Sequence, residues 1–347
     1  MNYMERVVKA LNHEEADRVP NYPIIAGCAR RLIGCSYPDW SVNADLCAES
    51  YIKAQEEFDL DCIVTLIDLS VECTAWGQGL VYPENEAAHP NYDNQLIQDI
   101  DDYEKIKYVD YHTCDRMMIH IDTVKKLVEH FGDEVPVVAF VFGPLGTLSM
   151  MRKQEEMYMD IYDEPEVVKA AATEVNKTLL EFSGALLDAG AVGIMYDTLF
   201  SSGSIMSKDM WDDMEGDLVQ ELAEYVHGRG GMVMIHNCGG KIYFDRQIER
   251  MHPEAISFLY PPDDCKDFKE CKEKYGDKTT LIGSVDPTHA VFGSDEDWIA
   301  ECKKNIDDMA AGGGFVLATG CEYPPDADFK RAHLMQELAK TYGSYEK

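Results

Sequence analysis

The strongest constraint on the fold is a recurrence. Eight short apolar, β-prone runs follow one another along the chain: Val19–Ile25, Cys62–Ile67, Val135–Phe142, Val192–Tyr196, Gly231–Ile235, Ala255–Leu259, Thr279–Ile282 and Gly314–Ala318. Segments of helical period lie between them, among them Glu166–Leu187, Met210–His227 and Asp295–Met309. Short buried strands that alternate with helices make parallel βαβ units. Eight such units in 347 residues predict a (β/α)8 TIM barrel, a single domain over residues 1–347 with loop insertions. A doubly wound sheet competes with this reading. However, no G-x-G-x-x-G follows an early strand, and Gly312-Gly-Gly314 precedes its strand as a turn would. Met4–Leu11 adds an N-terminal amphipathic helix. Gln78–Gln95, with Pro83 and Pro90, reads as a hairpin or loop inserted after the second strand, and the acidic Leu96–His130 belongs to the same long connection.

Composition bears on partners and compartment. The formal net charge of −33 repels nucleic acid and anionic membranes, so neither is expected as a partner. No apolar run approaches the roughly 18 residues of a spanning helix. Met1–Leu11 is too charged for a signal peptide. Eleven cysteines without such a signal are expected as reduced thiols in a cytoplasmic protein.

The polar residues that close the apolar runs show where chemistry could sit, because barrel enzymes work at the C-terminal ends of their strands. His236 and Cys238 close the fifth run. Residues i and i+2 of a strand face the same side, so one metal ion can reach both. Cys321 follows the eighth run and supplies a distant third ligand, with Glu322 beside it as a candidate fourth. Three protein ligands and an open position is the pattern of catalytic zinc, whereas structural zinc takes four. The alternative is a core histidine near two unrelated buried cysteines. Asp68 and Glu72 follow the second run and Asp197 the fourth. They are candidate catalytic carboxyls, acting as proton donor or substrate anchor, or else turn caps and solvated acids. Tyr260, before Pro261, and Asp286, before Pro287, are candidate substrate contacts whose alternative role is turn chemistry.

The opening run Glu5–Pro20, the stretch Asp68–Gly77, and the motifs Gly143-Pro-Leu-Gly-Thr-Leu148, Gly283-Ser-Val-Asp-Pro287 and Gly320-Cys-Glu-Tyr-Pro-Pro325 together carry a family likeness. The chain resembles the uroporphyrinogen decarboxylase superfamily, and within it the cobalamin-dependent methyltransferase branch. The resemblance spans nearly the whole chain and implies the same barrel. The decarboxylases carry arginines just after the first strand for the porphyrinogen carboxylates. The stretch Tyr22–Arg30 lacks the matching ones, and Cys321 stands where those enzymes have a histidine. The methyltransferase branch instead binds zinc through H-x-C and a distant C.

The resemblance therefore implies Zn²⁺ as cofactor. It also implies methyl transfer between a small substrate and the cobalt of a corrinoid (cobalamin) carried on a separate shuttle protein. The first expectation for that substrate is a methoxylated aromatic, as in the first methyltransferase of O-demethylation. The second is a thiol, as in methylcobamide:coenzyme M methyltransferases. Methylamine-like donors, a porphyrinogen-type decarboxylase and a non-catalytic, zinc-stapled binding subunit are further alternatives. Asp286-Pro-Thr-His289 is close to the D-x-H-x-x-G run of corrinoid carriers, but its histidine comes one place late. The corrinoid is accordingly expected on the partner. No G-x-S-x-G elbow, P-loop or H-E-x-x-H helix is present.

Overall fold

The computed structural model describes residues 1–346. The eight runs form eight strands: β1 (Asn21–Tyr22), β2 (Ile63–Thr65), β3 (Val137–Phe142), β4 (Gly193–Asp197), β5 (Met232–Asn237), β6 (Ala255–Phe258), β7 (Thr280–Val285) and β8 (Phe315–Thr319). Each pairs in parallel with the next from β2 to β8, and β8 pairs with β1. Helices surround the strands, and the architecture is the expected (β/α)8 barrel.

The strand bounds differ from the apolar runs for local reasons. β1 holds only two residues because Pro20 and Pro23 bracket it, and proline has no N–H to give a ladder. β5 and β7 run past their apolar cores, so His236 and Asn237 are strand residues and Ser284 and Val285 close β7. The helix Asp295–Met309 begins on a capping box, with Ser294 accepting from Asp297 N and the Asp297 carboxylate accepting from Ser294 N. The Met210–His227 segment contains a wide turn at Asp212–Gly216, between helices Lys208–Trp211 and Asp217–Gly228. The inserted stretch after β2 is a small antiparallel hairpin, Leu80–Val81 with His89–Pro90. Gly312, Gly313 and Gly314 all take positive φ, and a Cβ at Gly313 would lie 2.5 Å from the backbone of Glu14, so this turn admits no side chain there.

Alternation along each strand divides the core in two. Val138, Phe140, Met195, Met234, Ile282 and Val316 fill the barrel interior. Val137, Ala139, Ile194, Val233, Ile256 and Leu317 face the helices. The N-terminal helix Tyr3–Leu11 closes the foot of the barrel, with Val7 and Leu11 lining an apolar void beside Val64 and Met234.

Closure between β1 and β2 centres on Asp61, with a longer bond of 3.5 Å from Tyr22 Oη to Val64 O beside it. Asp61 N donates to Asn21 O at 3.0 Å, and the Asp61 carboxylate accepts from Asn21 N at 2.6 Å. That carboxylate is 0% exposed and also accepts from Arg6 Nη1 (2.6 Å) and Arg18 Nη1 (2.7 Å). It thereby ties the first helix, β1 and β2 together. Removing one member of such a buried network strands the remaining charges. Asp61→Ala is expected to cost about 3–5 kcal/mol in urea denaturation. A loss below about 1 kcal/mol would show that the network does not hold the seam.

Candidate metal centre

The in-register ladder sets Asp197 of β4 beside His236 of β5, and His236 beside Ser257 of β6. Met234, two residues before His236, lines the barrel interior, so the same parity carries the His236 imidazole toward the lumen. Asn237 turns the other way. Its amide donates to Thr198 O (2.7 Å) and Ser201 O (3.2 Å), and its carbonyl accepts from Gly239 N (2.9 Å). These bonds fasten the turn after β5 to the exit loop of β4 and return Cys238 to the side of His236. The exit of β8 is fixed separately: Gly320 N donates to Val285 O and Tyr323 N to Ile24 O. Gly320 also packs so closely on Leu259 that a Cβ would lie 2.5 Å from it.

These constraints bring His236, Cys238 and Cys321 together, with their ligand atoms all within 4.8 Å of one another. Ser257 Oγ lies 3.0 Å from His236 Nδ1. The two sulfurs behave as a pair. Hydrogen bonding from Cys238 holds the Cys321 thiol far below its usual range, His236 assists, and the same contact pushes Cys238 up. Burial pulls His236 down, but Cys321 and Asp197 outweigh it and leave the imidazole above its usual value. Two cysteine sulfurs and one imidazole make a soft donor set that suits zinc.

The expected carboxyls have separate fates. Asp197 is buried with Oδ1 free of any hydrogen-bond partner. Burial drives its pKa up to about 7, His236 draws it down, and Cys321 pushes it up again. Glu72 is also buried. Oε1 accepts from Phe142 N at 3.1 Å, Oε2 has no partner, and burial lifts the pKa to about 8. Asp68 is not a free acid. It accepts from Arg116 Nη1 (3.0 Å) and Nη2 (2.5 Å), and Arg116 also reaches Ser41 O. Glu322 lies outside the three-ligand group. It turns away to accept from Gly27 N at 3.3 Å, and burial followed by the nearby Cys321 charge raises it to about 7. Asp286 is engaged in its own turn, accepting from Thr288 N (2.9 Å) and Thr288 Oγ1 (2.7 Å). Tyr260 follows β6 and is 48% exposed, at the rim.

Sequence reading passed over four residues here. Arg116, in the first turn of helix Asp115–Phe131, carries no motif. Glu215 lies among several acids in the Met210–His227 segment, and the wide turn buries it. It accepts from Leu145 N (2.9 Å) and Trp211 Nε1 (2.8 Å), and burial raises it to about 7. Ser257 shares the parity of Ala255 but carries no motif. Arg30, after β1, is 2% exposed. Its Nε has no partner, its Nη2 meets only Asn85 Oδ1 at 3.3 Å, and its guanidinium lies over the Tyr37 ring.

A family model described as Uroporphyrinogen decarboxylase (URO-D) matches residues 2–342. The chain belongs to the uroporphyrinogen decarboxylase family. Members similar to it fall on both sides of that family. The uroporphyrinogen decarboxylase of Neisseria meningitidis is 23% identical over 336 residues, covering 90% of this chain and 89% of that protein. The methylcobamide:CoM methyltransferase of Methanosarcina mazei is 21% identical over 345 residues and 97% of each. Among solved structures, a methyltransferase from Methanosarcina mazei superimposes with a TM-score of 0.78 at 19% identity, covering 99% of both chains. These relatives are enzymes, and the structural likeness shows the shared fold. No helix among the described residues is long and apolar enough to cross a membrane.

The raised Glu72 carboxyl has a consequence for stability. The unfolded chain loses this proton near pH 4.5, whereas the folded chain keeps it up to about 8. The contribution is therefore fully present below about pH 4.5 and is lost as the pH rises through about 8. In metal-free protein, unfolding free energy is expected to fall across this window by an amount on the order of a few kcal/mol. Glu72→Gln should flatten the decline in denaturation series run from pH 5 to 9. An unchanged slope in the variant would contradict the assignment.

Proposed function

We propose that the protein is a zinc-dependent methyltransferase that moves a methyl group between a small substrate and the cobalt of a corrinoid carried by a separate shuttle protein. In this reading the chain acts as a single barrel domain, and the first substrate to try is a methoxylated aromatic. The observation that carries the reading is the convergence of His236, Cys238 and Cys321 at the C-terminal face. Their chemistry fits the ion, because two sulfurs and an imidazole converge within ligand reach of one another, and the imidazole has Nδ1 engaged by Ser257, which leaves Nε2 for a metal. Zinc bound there supplies a Lewis acid, which polarises a methoxy oxygen or acidifies a substrate thiol.

The remaining steps fall to the chain itself. Three protein ligands leave one position for the substrate heteroatom. Asp197 stands beside the trio with its carboxyl raised to about 7 by burial and with Oδ1 unpartnered among the described residues, so it is placed to exchange a proton with a departing oxygen. Glu72 holds a second proton in the same wall. Asp68 serves by fixing Arg116 and the loop at Ser41, and its two oxygens are already engaged. Tyr260 is the proposed contact at the rim.

One observation favours a second reading. Arg30, at the end of the stretch read as lacking the decarboxylase arginines, is a buried guanidinium with no carboxylate partner among the described residues. A carboxylate-bearing substrate would supply the missing charge, and decarboxylation of a tetrapyrrole is the version of that idea with a family precedent.

Protein purified without chelator is expected to hold about one zinc per chain. Cys238→Ala and Cys321→Ala should each lose the metal and reduce methyl transfer, followed by the cob(I)alamin or methylcobalamin spectrum, to background. Full transfer by metal-free protein would sink the proposal. Release of carboxyl groups from porphyrinogen would move the assignment to the second reading.

A further inference from the structure

Ser257 shows no signal in the sequence, yet it is the hydrogen-bond partner of the metal-site histidine. It is fully buried on β6 and sits directly opposite His236 in the β5–β6 register, with Oγ 3.0 Å from Nδ1. An imidazole has two nitrogens, and only one of them can face the sulfurs of Cys238 and Cys321. With Nδ1 engaged at Ser257, the nitrogen left for the three-ligand group is Nε2.

The direction of this hydrogen bond matters. A neutral ring carries its proton on one nitrogen and keeps a lone pair on the other. If the serine hydroxyl donated to Nδ1, the proton would sit on Nε2 and block ligation. If Nδ1–H donates to Oγ, the lone pair on Nε2 is presented to the ion. We infer that Ser257 is the positioning residue of the metal centre: its hydroxyl accepts from His236 Nδ1–H, selects the tautomer with a free Nε2, and holds the ring plane toward Cys238 and Cys321. This rests on the zinc reading above and names the residue that preorganises it. The backbone ladder supports the role. Ser257 cannot slide relative to His236 without shifting β5 against β6, and Asn237 locks the far side of the same turn.

The test uses the full-length protein and zinc itself. Zinc affinity is measured by competition with a chromophoric chelator for wild type, Ser257→Ala and Ser257→Thr. Ser257→Ala is expected to bind zinc about 10–100-fold more weakly, with recovery toward wild type in Ser257→Thr, which keeps the hydroxyl. Nitrogen-15 spectra of the histidines in zinc-loaded wild type provide a readout that needs no variant. They are expected to place the His236 proton on Nδ1 and the metal-type shift on Nε2. Wild-type affinity in a folded Ser257→Ala, or a proton on Nε2 of His236, would overturn the inference. A wild-type protein that binds no zinc would instead overturn the zinc reading, so the two failures are distinguishable.

Discussion

The site depends on the register of three neighbouring parallel strands. Asp197, His236 and Ser257 lie side by side because β4, β5 and β6 are hydrogen-bonded in one frame. A slip of one residue in β5 would turn His236 out toward the helices and bring Asn237 into the lumen. The apolar residues below prevent that slip. Met195 and Met234 belong in the barrel interior, while Ile194, Val233 and Ile235 belong against the helices. The core therefore aims the chemistry, and the same pattern of alternation that folds the barrel delivers an acid, an imidazole and a hydroxyl to adjacent positions.

Most of the fold was legible because that alternation is written in the chain. All eight strands lie within or overlap the apolar runs, and the first helix and Asp295–Met309 sit where their period places them. The ends were less legible. Pro20 and Pro23 cut β1 to two residues, although the run around them stayed apolar. The wide turn that buries Glu215 has no residue signature, so nothing sets this acid apart from its neighbours in the sequence. In the site, the three side chains that the structure brings together, His236, Cys238 and Cys321, could be picked out from residue type and strand-end position. Ser257 and Arg116 could not, because each acquires its role from a partner far along the chain: His236 across one register, Asp68 across a loop. Asp68 itself illustrates the limit. Its position at a strand end was right for a catalytic acid, but whether a carboxylate is free or already bound by an arginine depends on packing.

Acids dominate the upper wall of the barrel. Asp197, Glu72, Glu215 and Glu322 are all raised by burial, and only Asp68 has an arginine in direct contact. Unpaired carboxyls in such surroundings stay protonated, since ionising them without a counter-ion is costly. Burial thus raises the carboxyls of this wall toward neutral pH despite the strongly negative charge of the whole chain. Bulk charge and local protonation state are set by different things, the first by solvated side chains and the second by what the core excludes.

The seam between β1 and β2 bears on motion. Seven of the eight strand boundaries are continuous ladders, whereas this one relies on Asp61 and the backbone of Asn21. Local opening begins where the fewest backbone bonds must break. β1 leads directly into the segment Gly27–Ile33, which carries Arg30 and touches Glu322 through Gly27. Opening at the seam would loosen that segment and reach Cys321 through the β8–β1 pairing, while His236 stays held by β4 and β6. The two halves of the site therefore have different supports: His236 and Cys238 rest on the continuous ladders of β4 to β6, whereas Cys321 leaves β8 beside β1, where Tyr323 N donates to Ile24 O.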